Sequence, residues 1–506
     1  MFAIYGSWEP LVWLVLLVGM AGLAALLFSR RRRSSRLNPQ TVKDNTAAMA
    51  SVFLIKPYLQ LGDNPRLAAM ESVELLWRAK ANEHLWQVQV RVEGESQWRS
   101  PSAVTGQPAD VSHLKDHVNY RVRMDKLPPG RAFEYRLLAD GATAFGATGM
   151  ARHGADQPFT FVAVGDLGKS PPGEMQPIAQ AIHQVNPGFV AIAGDLVYER
   201  GRVSEYLEDI MPVYNADTSS AQSGAPVLRS HIVLPVAGNH DVALPNPASV
   251  RDFTRFKDLL AYFIFWSVPL NGPQKLGSPY SPVLQGDDLE AHERFLKAAG
   301  ANYPTIGCYS VDWGNLHLTV LDSNAYMNWS DAELRKWVEN DLATARYATW
   351  RVVMFHHPGF SSDGKHSHEQ RMRLLSPVFE RWAVDIVISG HNHCYERSKP
   401  LKFKPADPTV ALRLLTEDCP VEGSFELDEK YDGKTETTPN GVIYFVNGAG
   451  GAKLYSHSIP ENLQPFTKAY DQSEHSFTYF TVNRRRLVGV QISASGKEID
   501  RFTIDK

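Results

Sequence analysis

Cysteine is scarce in this sequence of 506 residues, which contains only Cys308, Cys394 and Cys419. Three cysteines cannot form a disulfide framework, and no two of them stand in a C-x-x-C pair. We expect them to be small buried residues, because free cysteine is among the most buried side chains. The sequence also lacks internal repeats and low-complexity blocks. Its length therefore predicts two or three ordinary globular domains.

Positive charge is in short supply over most of the chain. The net charge is −3, yet residues 1–50 hold six Lys and Arg against two acids, a net +4 that leaves −7 for the remainder. A protein that follows nucleic-acid phosphates needs a basic stripe. We therefore expect no nucleic-acid partner, although a local positive site could still bind a small anion.

The N-terminus is apolar where the rest of the chain is mixed. Residues 11–28 (LVWLVLLVGMAGLAALLF) carry no charge, and their number is at the short end of what spans a bilayer as a helix. We predict a single-pass cell-membrane anchor over residues 1–29, followed by a basic and polar linker over 30–50. A cleaved signal peptide is the alternative, but the first ten residues hold no Lys or Arg.

The basic residues near the anchor bear on its orientation. They all follow the apolar run, as Arg30 to Arg33 and then Arg36 and Lys43. The positive-inside rule then keeps the bulk of the chain in the cytoplasm, although long domains can be exported despite such a bias.

Residues 51–155 alternate apolar and polar side chains. In 86–92 (WQVQVRV) and 133–137 (FEYRL) every second position is apolar. Turn residues such as Asp140-Gly141 separate such segments. The pattern predicts a small antiparallel β-sandwich. It contains no cluster of possible ligands, so we assign it no chemistry.

From residue 156 to 506 the pattern of apolar and polar residues changes. Continuous apolar runs alternate with helical patterns, which is typical of strands buried on both faces in an α/β layer. In 173–186, for example, Ile178, Ile182 and Val185 fall on one helical face. The predicted fold class is α+β and multi-domain: an N-terminal transmembrane helix, the small antiparallel sandwich, and then an α/β domain.

Polar groups able to bind metals follow five of the apolar runs. FTFVAV ends in 165–166 (GD), GFVAIA in 194–198 (GDLVY), HIVLPVA in 238–241 (GNHD), RVVMF in 356–358 (HHP), and VDIVIS in 390–393 (GHNH). Because the carboxyl ends of the strands line the ligand crevice of an open α/β sheet, these segments are expected to converge. Carboxylate, amide and imidazole groups at five strand ends indicate a metal site.

The series GDLG, GDLVYE, GNHD, HHP and GHNHCYER resembles the metallophosphoesterase superfamily and, within it, the purple acid phosphatases. Two further stretches fit that subgroup, 309–324 (YSVDWGNLHLTVLDSN) and 440–451 (NGVIYFVNGAGG). The resemblance covers roughly residues 51–506. It implies a fibronectin type III-like domain over 51–155 and a calcineurin-like metallophosphoesterase domain over 156–506. The latter would be a β-sandwich of βαββ or βαβαβ units, with two sheets flanked by helices.

The resemblance also implies a pair of metal ions. Two ions about 3.5–4 Å apart can hold the attacking and leaving oxygens of an in-line displacement at phosphorus. In the family pattern, one ion is held by Asp166, Asp195, Tyr198 and His393, and the other by Asp195, Asn239, His356 and His391. Asp195 would bridge them. Carboxylate, imidazole and phenolate ligands favour iron, zinc or manganese over calcium. We expect iron together with zinc, manganese or a second iron.

The expected reaction is hydrolysis of a small phosphate ester by direct attack of a metal-bound hydroxide, with no covalent phosphoenzyme. His240, beside the ligand Asn239, is the candidate for supplying a proton to the leaving group. In purple acid phosphatases the loop that here contains His366 and His368 carries substrate-facing histidines, and spacing does not say which of the two contacts phosphate. Asp241 stands where the family commonly has glutamate, a change that removes no ligand.

Three functions remain open at this point. A phosphomonoesterase is favoured, while the same metal pair would also serve a phosphodiesterase or nucleotide hydrolase. The third is a membrane-tethered binding protein whose metals only hold loops together. Enzymes of the family usually work outside the cytoplasm, opposite to the positive-inside prediction, so both sides of the membrane stay open. The oligomeric state is not predicted.

Two further features are expected to be structural. The segment 259–270 (LLAYFIFWSVPL), within the long stretch 242–303, is expected to pack in the core, with a lid or a lipid-facing surface as alternatives. His357 is expected to point away from the metals, and His317, within the strand LHLTVLDS, to be an ordinary residue.

Overall fold

The structure of the protein, a computed structural model, describes residues 52–170, 174–242, 252–273, 275, 280–455 and 461–506. The predicted anchor over 1–29 and the linker over 30–50 lie outside the described residues. Within the described ranges, no helix combines the length and the apolar character needed to cross a membrane.

Antiparallel strands occupy the region before residue 155. They are β1 (Ile55–Gln60), β2 (Glu71–Lys80), β3 (Trp86–Val92), β4 (Thr105–Pro108), β5 (His117–Leu127), β6 (Ala132–Ala139) and β7 (Ala142–Met150). One sheet has the order β1-β2-β5-β4 and the other β3-β6-β7. In β3 the apolar positions of the period-two pattern are the buried ones. They face the other sheet, where the ring centroids of Trp86 and Trp77 are 5.6 Å apart. Its likeness to fibronectin type III stays a prediction.

Two mixed sheets make up most of the remaining structure. The strands are β8 (Phe159–Val164), β9 (Phe189–Ile192), β10 (Ile232–Pro235), β11 (Tyr309–Trp313), β12 (Leu316–Val320), β13 (Trp350–Met354), β14 (Ile386–Ser389), β15 (Tyr395–Ser398), β16 (Leu401–Pro405), β17 (Gly423–Leu427), β18 (Ile443–Asn447), β19 (Thr467–Asp471), β20 (Ser476–Asn483), β21 (Arg486–Ser493) and β22 (Glu498–Asp505). The first sheet has the order β10-β9-β8-β20-β21-β22 and the second β11-β12-β13-β14-β18-β15-β19, while β16 and β17 pair separately. The two sheets face each other, with the ring centroids of Phe445 and Phe480 5.9 Å apart.

Helices connect these strands. They are α1 (Met175–Val185), α2 (Val203–Glu205), α3 (Met211–Tyr214), α4 (Val227–Ser230), α5 (Asn239–Val242), α6 (Tyr262–Phe265), α7 (Leu289–Ala299), α8 (Ala332–Thr344), α9 (Ser376–Arg381) and α10 (Val410–Leu414), with a π turn at Tyr206–Ile210 between α2 and α3. Short 3₁₀ turns lie at Gly300–Asn302, Thr305–Gly307, Ala345–Tyr347 and Arg371–Leu375. The predicted face of α1 is the buried one, since Ile178 and Ile182 are inaccessible to solvent.

The segment 259–268 is part of the core. Its aromatic residues are inaccessible to solvent, and its carbonyl groups accept hydrogen bonds from the sandwich. Tyr58 donates its hydroxyl to the carbonyl of Phe265, and Arg78 donates Nη2 to that of Ile264, each at 2.8 Å. The segment is therefore packed in the core, as predicted, and is neither a lid nor a lipid-facing surface.

The strands that carry the motifs are divided between the two mixed sheets. β8, β9 and β10 pair in parallel in the first sheet. β12, β13, β14 and β18 pair in parallel in the second. The backbone N–H of Gly165, just after β8, donates to the carbonyl of Asn447 at the end of β18 (2.8 Å). The carboxyl edges of the two sheets are thus joined directly.

Candidate metal centre

The predicted ligands lie at this junction, in the loops that follow the parallel strands. They are Asp166 after β8, Asp195 and Tyr198 after β9, Asn239 after β10, His356 after β13, and His391 and His393 after β14. Three of these loops come from one sheet and two from the other. The motif residues therefore converge as predicted, although from two sheets and not from a single open one.

The backbone at the junction is strained where ligands must turn inward. Asp166, Asp195 and His391 have φ angles of 58°, 50° and 69°. This left-handed conformation is uncommon for residues other than glycine, and such strain costs of order 1–3 kcal/mol where the surroundings impose it. Gly390 leaves the room that the loops need, because a Cβ there would lie 2.5 Å from Oδ2 of Asp166 and 2.6 Å from the carbonyl oxygen of Ala193.

Neighbouring acceptors fix the proton positions of two imidazoles. Nδ1 of His356 lies 2.8 Å from the carbonyl oxygen of Ala193, and Nε2 of His391 lies 3.1 Å from Oε1 of Glu369. Carbonyl and carboxylate oxygens only accept, so these two nitrogens carry the protons. In the neutral rings, the lone pairs are then on Nε2 of His356 and on Nδ1 of His391.

Those lone pairs meet two further acceptors. Oδ1 of Asn239 lies 3.0 Å from Nε2 of His356 and 3.1 Å from Nδ1 of His391. Oδ1 of Asp195 is 3.3 Å from the same nitrogen of His356. Ligand atoms about 2.0–2.2 Å from a shared ion, at right angles to one another, are about 3 Å apart. The donor set and its spacing therefore fit a transition-metal ion.

A second group adjoins the first. Nδ1 of His393 lies 2.7 Å from the carbonyl oxygen of Lys453, which leaves Nε2 to face the site. The hydroxyl of Tyr198 lies 3.3 Å from that nitrogen and 3.3 Å from Oδ1 of Asp166. Ligand atoms of Asp166, Asp195 and His356 all lie within 4.8 Å of one another. Asp195 thus stands between the two groups, as a bridging carboxylate would.

The charged residues of the site favour the binding of positive charge. Burial opposes ionisation of Asp195, but His356 and His240 outweigh it and hold the pKa of Asp195 below its ordinary value. Burial also disfavours the charge on His356, yet Asp195 raises the pKa of His356 to about 10. A bound cation would take the place of that proton. Burial lowers the pKa of His391 to about 4, so its Nδ1 carries no proton at neutral pH.

Burial, together with Asp195 and Asp166, raises the pKa of Tyr198 well above the ordinary value for a phenol. The hydroxyl is therefore neutral in the protein alone. A cation beside it reverses that preference, because a metal ion is the largest local charge in such a site. Tyr198 is consequently suited to bind as a phenolate only when metal is present.

His240 lies at the open side of the group, with its side chain 22% exposed. Its backbone N–H donates to Oδ1 of Asp195 (2.9 Å), and its Nδ1 lies 3.1 Å from the carbonyl oxygen of Glu199. Nδ1 therefore carries a proton, and Nε2 is directed toward the site, 3.9 Å from Oδ2 of Asp195. The ring stands 4.3 Å from that of Tyr198, between centroids. This placement suits proton transfer to a bound group.

The structure separates the two loop histidines. The ring of His366 is 4.2 Å from that of His391, and its Nδ1 lies 2.6 Å from Oε1 of Glu369. His368 is exposed, and its backbone carbonyl accepts from the N–H of Cys419 at 3.0 Å. The fold thus brings His366, and not the side chain of His368, into the cluster.

Sequence reasoning missed Glu369, the carboxylate at the centre of this cluster. It is 7% exposed and accepts hydrogen bonds from His366 and His391. Nε2 of His357 lies 3.7 Å from its other oxygen. Burial disfavours its charge, but His391 and His366 outweigh burial and lower its pKa. The one signal in the sequence is an H-x-x-E spacing within 366–369.

Ser323 was missed as well, although it obeys the strand-end rule, since it lies in the loop after β12. Its hydroxyl oxygen accepts from the backbone N–H groups of His356 (3.1 Å) and His357 (2.9 Å). The hydroxyl proton is left for Nδ1 of His357 at 2.9 Å. The ring of His357 is buried against that of His391, and one of its nitrogens lies within 4.8 Å of ring nitrogens of His356 and His391, so it does not point away from them as expected. Ser323 therefore fixes the backbone at His356, one of the predicted ligands.

Asp241 ties two ligand loops together. Its carboxylate accepts from the backbone N–H of Leu196 at 3.2 Å and from that of Gly238 at 2.8 Å. Leu196 follows Asp195, and Gly238 precedes Asn239, both of them predicted ligands. The aspartate thus links the loops after β9 and β10, and that the change from glutamate removes no ligand stays a prediction.

Comparison with known proteins gives a consistent result. Residues 159–395 match the family model described as calcineurin-like phosphoesterase. Purple acid phosphatase 18 of Arabidopsis thaliana is 23% identical over 73% of this chain and 78% of its own length. A nucleotide pyrophosphatase/phosphodiesterase of Hordeum vulgare is 24% identical over 68% of this chain and 83% of its own length.

Two uncharacterized proteins of Mycobacterium tuberculosis are each 26% identical over 71% of this chain, and the chain spans 63% of their length. Among solved structures, the purple acid phosphatase PPD1 from yellow lupin seeds superimposes with a TM-score of 0.58 at 18% identity. That match covers 89% of this chain and 74% of the lupin chain. The overall fold is therefore the one seen in the lupin protein.

Proposed function

The chain contains a metallophosphoesterase domain like those of the purple acid phosphatases, and we propose that it is a dinuclear metal-dependent phosphatase that hydrolyses phosphate monoesters. The observation that carries this proposal is the convergence of two carboxylates and an amide oxygen from the loops of the first mixed sheet with imidazole nitrogens from the loops of the second. In the protein alone a proton on Nε2 of His356 pairs with part of this group, and a metal ion would take the place of that proton and bind the carboxylate, amide and imidazole donors together.

The donor atoms divide naturally into two ion sites. One ion would be held by Asp166, Asp195, Tyr198 and His393, and the other by Asp195, Asn239, His356 and His391. We propose iron in the pair, with zinc, manganese or a second iron, because nitrogen and charged oxygen ligands suit these metals. When bound, the ions would make a water molecule acidic and draw charge from the phosphoryl oxygens.

The surrounding residues supply orientation and protons. Glu369 directs Nδ1 of His391 into the site by holding its other nitrogen. His366 stands beside that ring with Nδ1 engaged by Glu369, and in its imidazolium form its Nε2 would donate a hydrogen bond to a phosphoryl oxygen. His240 directs Nε2 to the open side, and in its imidazolium form it would give the proton on that nitrogen to the departing alcohol oxygen. In this proposal His366 and His240 therefore act on the substrate, while Glu369 orients a ligand.

A phosphodiesterase or nucleotide hydrolase is the second candidate. The barley relative, a nucleotide pyrophosphatase/phosphodiesterase, favours it and aligns over most of its own length. A diester differs from a monoester in having one ionisable oxygen fewer and a second substituent. The two candidates use the same ions and differ in what the rim of the site accepts.

The test is an assay of the purified full-length chain, with its metals, on p-nitrophenyl phosphate and bis(p-nitrophenyl) phosphate. A phosphomonoesterase has the higher kcat/KM on the first, and a phosphodiesterase on the second. Asp195→Asn serves as the control, because it removes the shared carboxylate. A metal-loaded protein that is inert on both esters would overturn the proposal and would favour metals that only hold loops together.

A further inference from the structure

Basic side chains lie beside His240, on the loop that follows Tyr198. Nδ1 of His240 contacts the carbonyl oxygen of Glu199, and Arg200 is the next residue. Arg200 is half-buried, and its guanidinium group lies over the ring of Phe256, with Cζ 5.1 Å from the centroid. This edge of the site is the one at which His240 would meet a leaving group.

Two more guanidinium groups contact the ring of Phe256. The Cζ atoms of Arg202 and Arg255 lie 5.0 and 5.1 Å from its centroid. Contacts of a cation with an aromatic face hold the side chain in place without neutralising its charge. Three like charges are therefore kept close together around one ring.

One of the three is neutralised. Nε of Arg202 lies 2.9 Å from Oδ1 of Asp258, a carboxylate that is 1% exposed. Over the part of the chain that the structure describes, Arg200 and Arg255 form no ion pair. Two positive charges on the ring of Phe256 thus lack a carboxylate of their own.

The acids nearest to this loop are occupied by other partners. Glu199 pairs with Lys169 at 3.1 Å. The carboxylate of Glu205 accepts from the backbone N–H groups of Glu199, Arg200 and Arg202, at 2.7 to 3.1 Å. These acids hold the shape of the loop and do not form close ion pairs with the Arg200 guanidinium.

We propose that Arg200 and Arg255 form a second anion-binding subsite, which takes a phosphate or carboxylate carried by the leaving group of the substrate. The inference rests on the proposed function and names its substrate class. In the proposed reaction the scissile phosphoryl group would be held at the metal ligands and the bridging oxygen at His240, so the rest of the leaving group would extend toward the loop that carries Arg200. Guanidinium groups suit this role because their forked N–H donors match phosphate and carboxylate oxygens.

Adenosine diphosphate and adenosine monophosphate make a matched pair of probes. Hydrolysis at the terminal phosphorus of the diphosphate forms a bond to a water oxygen and breaks the bond to the bridging oxygen, which departs on adenosine monophosphate. The monophosphate reacts in the same way but releases neutral adenosine. The ratio of their kcat/KM values therefore reports recognition of charge on the leaving group.

The variants Arg200→Gln and Arg255→Gln are each expected to lower this ratio by about 10-fold to 100-fold, the loss expected for one charge-assisted hydrogen bond. Lys257→Gln is the matched control. It removes the same charge one residue from Phe256, but Lys257 already pairs with Asp288 at 2.7 Å. The control is expected to leave the ratio unchanged.

A second pair of probes, phenyl phosphate and 4-carboxyphenyl phosphate, separates the two sources of the charge. If the arginine variants lower the ratio of kcat/KM values only for the nucleotide pair, the subsite is specific for phosphate. If they lower it for both pairs of substrates, the subsite binds anions in general. Ratios within twofold of the unsubstituted protein in both arginine variants would overturn the subsite while leaving the phosphatase intact.

Failure of the proposed function would look different. If the metal-loaded protein hydrolyses none of these esters, calorimetric binding of pyrophosphate and of inorganic phosphate still decides the subsite. The structure predicts that Arg200→Gln weakens pyrophosphate binding more than phosphate binding. Equal weakening, or none, would contradict the subsite independently of turnover.

Discussion

Glu369 decides which nitrogen of His391 faces the site. It accepts from Nε2 of that ring and from Nδ1 of His366, so both imidazoles are oriented by one buried carboxylate. Partners of this kind fix the tautomer of a metal-binding histidine and increase its basicity. Glu369 is therefore a positioning residue that acts through His391.

Replacing Glu369 with glutamine tests this role. The amide keeps the size of the side chain but loses the charge, and metal affinity is expected to fall about 10-fold to 100-fold. Competition with a chelator measures it without any assay of activity. Glu417→Gln is the control, since Glu417 lies near enough for Glu369 to add to the rise that burial causes in the pKa of Glu417, yet it makes no hydrogen bond to these rings. Equal affinity in the two variants would contradict the role of Glu369.

His240 is expected to act on the leaving group and not on the metals. In His240→Ala, both ions should stay bound while turnover falls by about 10²-fold to 10⁴-fold, the usual contribution of a general acid. The loss should be larger for an alkyl phosphate than for p-nitrophenyl phosphate, because p-nitrophenolate departs without a proton. An equal loss on both substrates would remove His240 as the acid.

His317 differs from the ordinary residue that its sequence context predicted. It is inaccessible to solvent and lies between two carboxylates, with Nδ1 2.7 Å from Asp312 and Nε2 3.0 Å from Asp341. Two acceptors require two N–H donors, so the ring is an imidazolium. Burial disfavours that charge, but the two hydrogen bonds outweigh it and raise the pKa of His317.

The stability that His317 contributes should depend on pH. A raised pKa in the folded protein means that the contribution is complete below the ordinary value of 6.5 and is lost as the pH rises through the folded pKa. The pKa values of Asp312 and Asp341 are lowered in the folded protein. The stability that their charges contribute is therefore lost only as the pH falls below 3.8, their ordinary pKa. We expect the difference in urea midpoint between the wild type and His317→Gln to be largest between these limits. A difference that stays constant up to pH 9 would contradict the charged ring.

At the scale of elements, the sheet junction depends on short parallel strands whose ends carry the ligands. The sequence predicted which strands end in ligands, because each apolar run stops at a polar motif. It did not predict that β8–β10 and β13–β14 belong to different sheets. A strand that is buried on both faces has the same continuous apolar sequence whichever sheet it joins. The role of Glu369 was not predicted for a related reason, because only the fold brings the loop at 366–369 beside the residues that follow β14.

The buried segment 259–268 is an element whose role can be measured. The ring of Phe265 stacks on that of Tyr206, with centroids 4.6 Å apart, and lies 4.6 Å below the guanidinium of Arg78. Phe265→Ala should lower the free energy of unfolding by about 3–5 kcal/mol. Leu289→Ala, at a residue that is 69% exposed, should change it little. Urea denaturation compares the two, and equal small losses would contradict core packing of this segment.

At the scale of the whole molecule, residues 52–506 form one compact unit. A buried ion pair inside it joins Glu71 of the sandwich to Arg152, at 2.6 Å. Arg152 also donates to the backbone carbonyl of Asp312 in the second mixed sheet (3.1 Å). The boundary at residue 155 was predicted from a change of pattern, and pattern does not reveal such contacts. The sandwich is thus bonded to the sheet whose loops carry His356, His391 and His393.

The central claim is that two cations bind where the two sheets meet, and the metal content of the purified full-length chain tests it most directly. Elemental analysis should find about two transition-metal ions per chain, because one carboxylate is placed between two groups of donors. In Asp195→Asn the content should fall below about one ion. A wild-type chain without stoichiometric transition metal, or an Asp195→Asn chain with the full complement, would contradict the account.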